Sequence, residues 1–274
     1  MGRTKTVLLT KKIGNKILNS RFTIELFAAV LFGCAAPIAH GNIAAEKNSD
    51  FEFGTNVKFI TERVSHGVRS CGKAVVPSVA LGYKISDDLK VSLSADVIAA
   101  LVDKYSRVAP CLGVTYYATD IFTLDAGYTH YIYASAVGDA QKNSNEIYAG
   151  ATVNILLSPA LYTFYDFDGE DFSIDASVSH SFDMSERIID GLSFDVGASI
   201  GYENVGKLDG KRIEGQKRDF IYYGVSGDIV CAINANAKAK IGVSYGGNSA
   251  KLNSWVNGPH RNFVWVTASL GCSF

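Results

Sequence analysis

The chain has 274 residues, a formal net charge of −1, and 47% hydrophobic but only 19% charged side chains. That balance excludes a disordered chain and a polyelectrolyte tail. Gly at 26, Tyr at 14 and Phe at 15, beside only 5 Pro, favour long regular strands over helical or loop-rich folds.

The first segment stands apart. Arg3, Lys5, Lys11, Lys12, Lys16 and Arg21 form a basic lead, and an apolar stretch follows from Phe22 to Ala39. Ala39-His40-Gly41 then offers the small-x-small pattern of an export peptidase site, so residues 1–41 are expected to be a cleaved signal peptide. An inner-membrane anchor is the competing reading, but Glu25 interrupts the stretch and leaves it short for a span. Leu31-Phe32-Gly33-Cys34 is close to a lipobox, with Phe32 too bulky for it. Cleavage would remove six basic residues and one acidic one, leaving 20 basic and 26 acidic side chains and a net charge of −6. An acidic mature chain argues against nucleic acid as a partner. Residues 42–50 are expected to form a short periplasmic lead.

Beyond residue 50 no window holds 18 consecutive apolar residues, so no spanning helix is expected. Strict alternation dominates instead. Phe51, Phe53, Thr55, Val57 and Phe59 alternate with Glu52, Gly54, Asn56 and Lys58. The same period returns at Val75–Ile85, Val91–Ala99, Val108–Ala118, Phe122–Tyr133, Glu146–Asn154 and Ala160–Phe167. It continues through Phe172–Phe182, Leu192–Tyr202, Phe220–Ile229, Asn236–Tyr245 and Phe263–Phe274. These are twelve segments of about ten residues, the length a tilted strand needs to cross the hydrocarbon layer. The segment at Ala160–Phe167 fits least well, because Tyr162-Thr163-Phe164-Tyr165 is apolar on both faces.

A soluble sandwich also alternates. Three features favour an all-β transmembrane antiparallel up-and-down β-barrel of about 12 strands over residues 51–274. The face opposite the apolar one is rich in Gly, Ser, Thr and Asp, as a wet lumen requires. Short connections near Ser86–Asp88, Asp120–Ile121, Ile155–Ser158 and Ile233–Ala235 alternate with longer ones at Val64–Ala74, Ala134–Asn145, Glu203–Arg218 and Gly246–His260. Aromatics on the apolar face fall into two belts. Phe51, Tyr83, Tyr116, Phe122, Phe182 and Phe274 lie at the short-turn end, and Phe59, Tyr202, Tyr223 and Tyr245 at the long-loop end. An even strand count would close the sheet and leave no edge facing lipid. Phe274, with Leu270, Ala268 and Gly271, resembles the terminal signal of barrel-assembly substrates. The expected partners are therefore outer-membrane lipid, the barrel-assembly machinery during biogenesis, and small solutes.

Several short motifs stand in a fixed order: Arg63-Val64-Ser65-His66-Gly67-Val68, Pro77-Ser78-Val79-Ala80-Leu81-Gly82-Tyr83 and Leu124-Asp125-Ala126-Gly127-Tyr128-Thr129-His130-Tyr131. Glu146-Ile147-Tyr148-Ala149-Gly150, Leu157-Ser158-Pro159-Ala160-Leu161 and Tyr165-Asp166-Phe167-Asp168 extend the series over most of the mature chain. In this order they resemble the TorF-type porin family of bacterial outer-membrane proteins. Arg63 to Val68 departs from the family pattern in lacking an aromatic-Arg-Gly turn. The resemblance implies a pore-like barrel and supplies no catalytic residue, substrate or cofactor.

Chemistry beyond the scaffold is sparse, and neither an enzyme nor a cofactor is expected. Gly197-Ala198-Ser199-Ile200-Gly201 matches G-x-S-x-G, but a nucleophile elbow needs a strand-to-helix turn and this serine sits inside an alternating strand. An outer-membrane lipid hydrolase is the third function considered, because His130 is on the apolar register near the loop end. Ser135, its nearest candidate partner, lies in the following loop, and no His-x-Ser-Asn-Gly run accompanies it. His66, His180 and His260 form no metal-ligand spacing with the cysteines. A Cys71–Cys111 disulfide is conceivable; Cys231 and Cys272 are separated by a whole strand at ~4.8 Å spacing per strand step, too far for a bridge.

The expected pore-lining residues are Lys58, Glu62, Asp96, Asp125, Glu146, Asp175, Asp195, Asp228, Lys238 and Lys240. The plainer alternative is that opposite charges pair across neighbouring strands and fill the barrel. The leading expectation is a narrow passive pore for small hydrophilic solutes, mildly preferring cations or neutral molecules. The competing one is a closed structural or adhesive barrel acting through external loops.

Overall fold

The computed structural model describes residues 50–103, 105–135, 143–185, 188–206, 219–249 and 262–274. The expected leader at 1–41, nearly all of the lead at 42–50, and most of the long connections at 203–218 and 246–260 lie outside them.

Twelve strands close into one antiparallel barrel. They are β1 (Phe51–Ile60), β4 (Ala74–Ser86), β5 (Leu89–Ala100), β6 (Ser106–Thr119), β7 (Phe122–Ser135), β8 (Ser144–Val153), β9 (Ala160–Asp166), β10 (Asp171–Asp183), β11 (Leu192–Asn204), β12 (Asp219–Ala232), β13 (Ala237–Asn248) and β14 (Asn262–Ser273). Each strand pairs with its sequence neighbour, and β1 pairs with both β4 and β14. The closing seam runs from Gly54 opposite Ser273 to Ile60 opposite Thr267. Beyond it, the Phe53 and Phe274 backbones exchange two hydrogen bonds of 2.9 and 2.8 Å. No strand edge is left open, which is the condition lipid imposes on a sheet.

The register follows the sequence period. Leu93, Ile200, Ile241 and Val264 are 55–62% exposed, as a lipid-facing wall demands and a water-soluble core would forbid. Glycine, serine, threonine and acidic residues take the inner positions between them. Aromatic pairs mark both rims: Phe51 against Tyr83 at 4.7 Å and Phe182 against Phe194 at 6.5 Å at the short-turn end, Tyr223 against Tyr245 at 6.3 Å at the other.

One departure from the sequence reading reorganises the interior. The connection after β1, expected as an external loop over Val64–Ala74, contains a two-stranded hairpin, β2 (Arg63–Ser65) and β3 (Val68–Cys71). Its turn residues His66 and Gly67 have φ of 47° and 68°. Positive φ at both central positions is the type I′ requirement, whose twist matches that of the strands it joins. The hairpin folds into the barrel instead of projecting outward.

Candidate functional site: a hairpin across the lumen

His66, at the hairpin tip, reaches inward-facing residues on walls far from β1. Its ring stacks on Tyr222 of β12 at 5.0 Å and 15°, and lies 5.7 Å from Phe164 of β9. Strand β9 is six positions from β1 in a ring of twelve, so the hairpin spans the barrel. The His66 Nδ1–H donates to Glu203 Oε2 of β11 at 3.0 Å. The Asn248 side chain of β13 donates to the Gly67 carbonyl at 2.6 Å. Val68 packs against Phe220 and Tyr222, both 3% exposed. At the hairpin base, Cys71 is buried with Ile60, Ala74 and Ile98, and the Gly72 N–H donates to Asp103 Oδ2 at 2.6 Å.

Local sequence explains the fit. A Cβ at Gly67 would lie 2.5 Å from the Gly247 carbonyl oxygen, so glycine is required by close approach as well as by φ. On β11, Gly201 leaves the space that the Tyr222 ring fills. The double-sided apolar run Tyr162–Tyr165 is explained too. Phe164 faces inward because it receives His66, and Tyr162 and Tyr148 flank it at 6.3 and 6.2 Å.

The electrostatics of the tip favour its charged form. Burial works against an imidazolium at His66. The Glu203 hydrogen bond and the charges of Glu203, Glu146 and Asp175 outweigh it, raising the pKa above the ordinary histidine value. Protonation therefore converts a hydrogen bond into a charge-assisted ion pair.

The anticipated interior residues take the following places. Asp125 accepts from Thr115 Oγ1 at 2.8 Å and Tyr162 OH at 2.7 Å. Asp195 accepts from Ser181 at 2.6 Å and Ser193 at 3.2 Å, and Glu146 from Tyr131 OH at 2.8 Å. Lys240 Nζ pairs with Asp228 Oδ2 at 2.9 Å, and Lys58 is near Asp96, Asp228, Lys240 and Arg63. Glu62 lies beyond the end of β1, 3.8 Å from Arg69 Nε on the hairpin. Pairing of opposite charges is thus partial. At Asp125, Asp195 and Glu146 the hydrogen-bond donors are hydroxyls rather than lysine or arginine side chains.

Cavities remain among the described residues. One of about 410 Å³ lies under the hairpin tip, with Asp175, Tyr222 and Trp265 in its lining. Another, about 360 Å³, lies along β1, β4, β5, β13 and β14, where Asp96, Lys238, Asn56 and Ser94 meet.

No disulfide joins the four described cysteines. The Cys71–Cys111 bridge considered from the sequence is not formed: Cys71 is held in the apolar cluster at the hairpin base, while Cys111 sits in β6 between Ser94 and Thr129. Ser199 lies mid-strand in β11 opposite Gly224, with no elbow around it. His130 donates from Nδ1 to Asn145 Oδ1 at 2.8 Å, which also accepts from Tyr128, and Asn145 Nδ2 donates to Asp168 at 2.8 Å. This network ties β7 to β8, and it couples the histidine to an amide, not to a serine. Ser135 closes β7.

Solved structures share this architecture. An outer-membrane channel from Pseudomonas putida F1 superposes with a TM-score of 0.53 at 12% identity, covering 85% of this chain and 100% of its own. The chain has the fold of the bacterial outer-membrane barrels. The KdgM porin in complex with disordered oligogalacturonate gives 0.50 at 12% identity, covering 81% of this barrel chain and 99% of its own. LpxR from Salmonella typhimurium gives 0.50 at 10% identity, with 80% and 99% covered. At such identities the likeness is one of fold, and channels share that fold with other outer-membrane proteins. No protein-family model and no curated protein sequence matches the barrel chain.

Sequence reasoning missed the tip contacts at Phe164, Tyr222 and Asn248. The available signals were the two-sided apolar runs at Tyr162–Tyr165 and Phe220–Tyr223, and a His-Gly pair flanked by Val64 and Val68. An apolar residue on the wet face of a barrel strand asks what covers it.

Proposed function

We propose that this barrel is a narrow passive outer-membrane pore for small hydrophilic solutes, constricted by its own β2–β3 hairpin. The observation that carries the reading is an interior faced by hydroxyls and carboxylates that retains cavities both under the inserted hairpin and along β1, β4, β5, β13 and β14. A barrel built only to be filled has no need to keep space of that size. The resemblance to TorF-type porins agrees with it. Residues Lys58, Glu62, Asp96, Asp125, Glu146, Asp175, Asp195, Asp228, Lys238 and Lys240 are proposed to line the path.

A mild preference for cations over anions follows from carboxylates whose donors are neutral hydroxyls. Asp96 tests it most simply, because it lies in the second cavity and away from the hairpin tip. In planar bilayers under a salt gradient, the refolded protein should show stepwise currents with a cation-selective reversal potential. Asp96→Lys should move that potential toward zero. An unchanged potential rejects Asp96 as a selectivity group, and no steps at all rejects the pore.

The raised pKa of His66 gives the pore a pH dependence with a definite sign. The added stabilisation of the docked hairpin is complete below the ordinary imidazole value. It is lost as pH rises through the raised one. Open probability should therefore be lowest in mild acid and increase toward alkaline pH, with His66→Ala and Glu203→Gln both flattening the profile. An unaltered profile in both variants would rule out the His66–Glu203 contact as the gate.

The second reading, a closed barrel with a structural or adhesive role, draws on the same hairpin, since an element spanning the lumen also suits a plug. The two readings separate on whether the intact protein conducts.

A further inference from the structure

The cavity under the hairpin has a chemical character that a merely wet lumen does not require. Its floor is a shelf of small hydroxylated residues set by the register of four consecutive strands. Ser177 of β10 stands opposite Ser199 of β11, and Ser226 of β12 opposite Ser244 of β13. Glycines at 197 and 224 keep the shelf low between them. Trp265 of β14, paired opposite Ser244, closes one side. Tyr222 closes another, and the roof is the hairpin itself through Val64, His66 and Gly67.

Each feature constrains the guest. A serine hydroxyl both donates and accepts, so a shelf of them suits a molecule whose own groups do the same. A partly exposed indole inside an aqueous channel leaves apolar area in water unless something apolar lies on it. One guest class satisfies both demands, since a sugar ring presents a C–H face to an aromatic and hydroxyls to the opposite side. Charge narrows the class. The lining holds Asp175 and no lysine or arginine among the described residues, and its one histidine, His66, is already paired with Glu203, so a carboxylated or phosphorylated guest would meet Asp175 without a free counter-ion. The volume, about 410 Å³, falls in the range of small-ligand pockets.

We propose that this cavity is a binding subsite for a small neutral polyhydroxylated solute, a mono- or disaccharide, held between the serine shelf and the Trp265 and Tyr222 rings under the hairpin roof. The inference rests on the pore reading for its purpose but not for its test. Its geometry also couples binding to the gate, because the guest lies against the tip that must undock for passage.

The chain has two tryptophans, Trp255 and Trp265, so Trp255→Phe leaves Trp265 as the sole reporter. The full refolded protein carrying that substitution, titrated with maltose, should show a saturable shift in emission. Galacturonate should bind at least tenfold more weakly. Combined Ser226→Ala and Ser244→Ala substitutions, which leave the aromatic rings in place, should weaken maltose binding about tenfold by calorimetry, and Trp265→Ala should abolish it. If the latter fails to assemble, the serine variant decides alone. The absence of a saturable maltose response, or galacturonate binding as tightly as maltose, overturns the subsite. Conductance steps without maltose binding would overturn this inference and leave the pore standing; maltose binding without steps would do the reverse.

Discussion

Excising the hairpin should raise unit conductance at least about twofold, because in a barrel of intermediate width one inserted element takes a large share of the lumen. A suitable variant replaces residues 62–73 with a short Gly-Ser link, preserving the pairing of β1 with β4 from Phe51 opposite Tyr83 to Ile60 opposite Ala74. The barrel wall has its own hydrogen-bonded seam on both sides of β1, so the excision should not open the sheet. It removes the His66–Glu203 bond, the Tyr222 stack and the Asn248–Gly67 bond at the tip, together with the Cys71 packing and the Gly72–Asp103 bond at the base. Exposing Phe220 and Tyr222, both 3% accessible, will cost some stability. Thermal denaturation should therefore shift downward while the folded barrel still forms. Conductance unchanged on excision would mean that the hairpin does not set the constriction.

The second large effect concerns closure. Deleting Phe274 should abolish most barrel assembly, since its backbone N–H and carbonyl both bond to Phe53 at the end of the β1–β14 seam. An unsatisfied backbone group facing hydrocarbon costs several kcal/mol. Phe274→Ala keeps those bonds and removes only the ring stacked 6.5 Å from Phe53. It should assemble in reduced yield, and Phe274→Tyr should restore it. If Phe274→Ala assembles at the native level, the proposed assembly signal of Phe274, Leu270 and Gly271 does not depend on the aromatic. The gel shift between folded and heat-unfolded protein reads all three variants.

The wall of the barrel was legible in the sequence because one rule governs every position on it. A lipid-facing side chain must be apolar and its neighbour must not, so period-two alternation reports the strands and their register together. The ladder from Leu192 opposite Cys231 to Asn204 opposite Asp219 follows the alternation of β11 and β12 without a bulge. The interior obeys no such rule. Asp125 and Asp195 can be read as inward with Thr115 and Ser181 directly opposite, but Tyr162 reaches Asp125 across Gly150 from two strands away and Ser193 reaches Asp195 along its own strand, and alternation encodes neither.

The hairpin was hidden for a different reason. Val64-Ser65-His66-Gly67-Val68 satisfies the local signature of a tight turn, yet nothing local says whether such a turn points into water or into the lumen. That choice is made by Phe164, Tyr222 and Asn248, which lie roughly one hundred or more positions along the chain. The reading of Val64–Ala74 as an external loop was right about where the connection starts and wrong about where it goes. The oddity at Tyr162–Tyr165 was the trace of that docking, seen from the opposite wall.

Single-channel recording of the refolded protein, intact and with residues 62–73 replaced, decides whether the hairpin constricts a pore. A pore constricted by its own hairpin predicts small resolvable steps in the intact protein that open more often as pH rises, and larger steps with pH-insensitive opening after excision. A flat trace from both proteins, each shown to be inserted and folded, would contradict it.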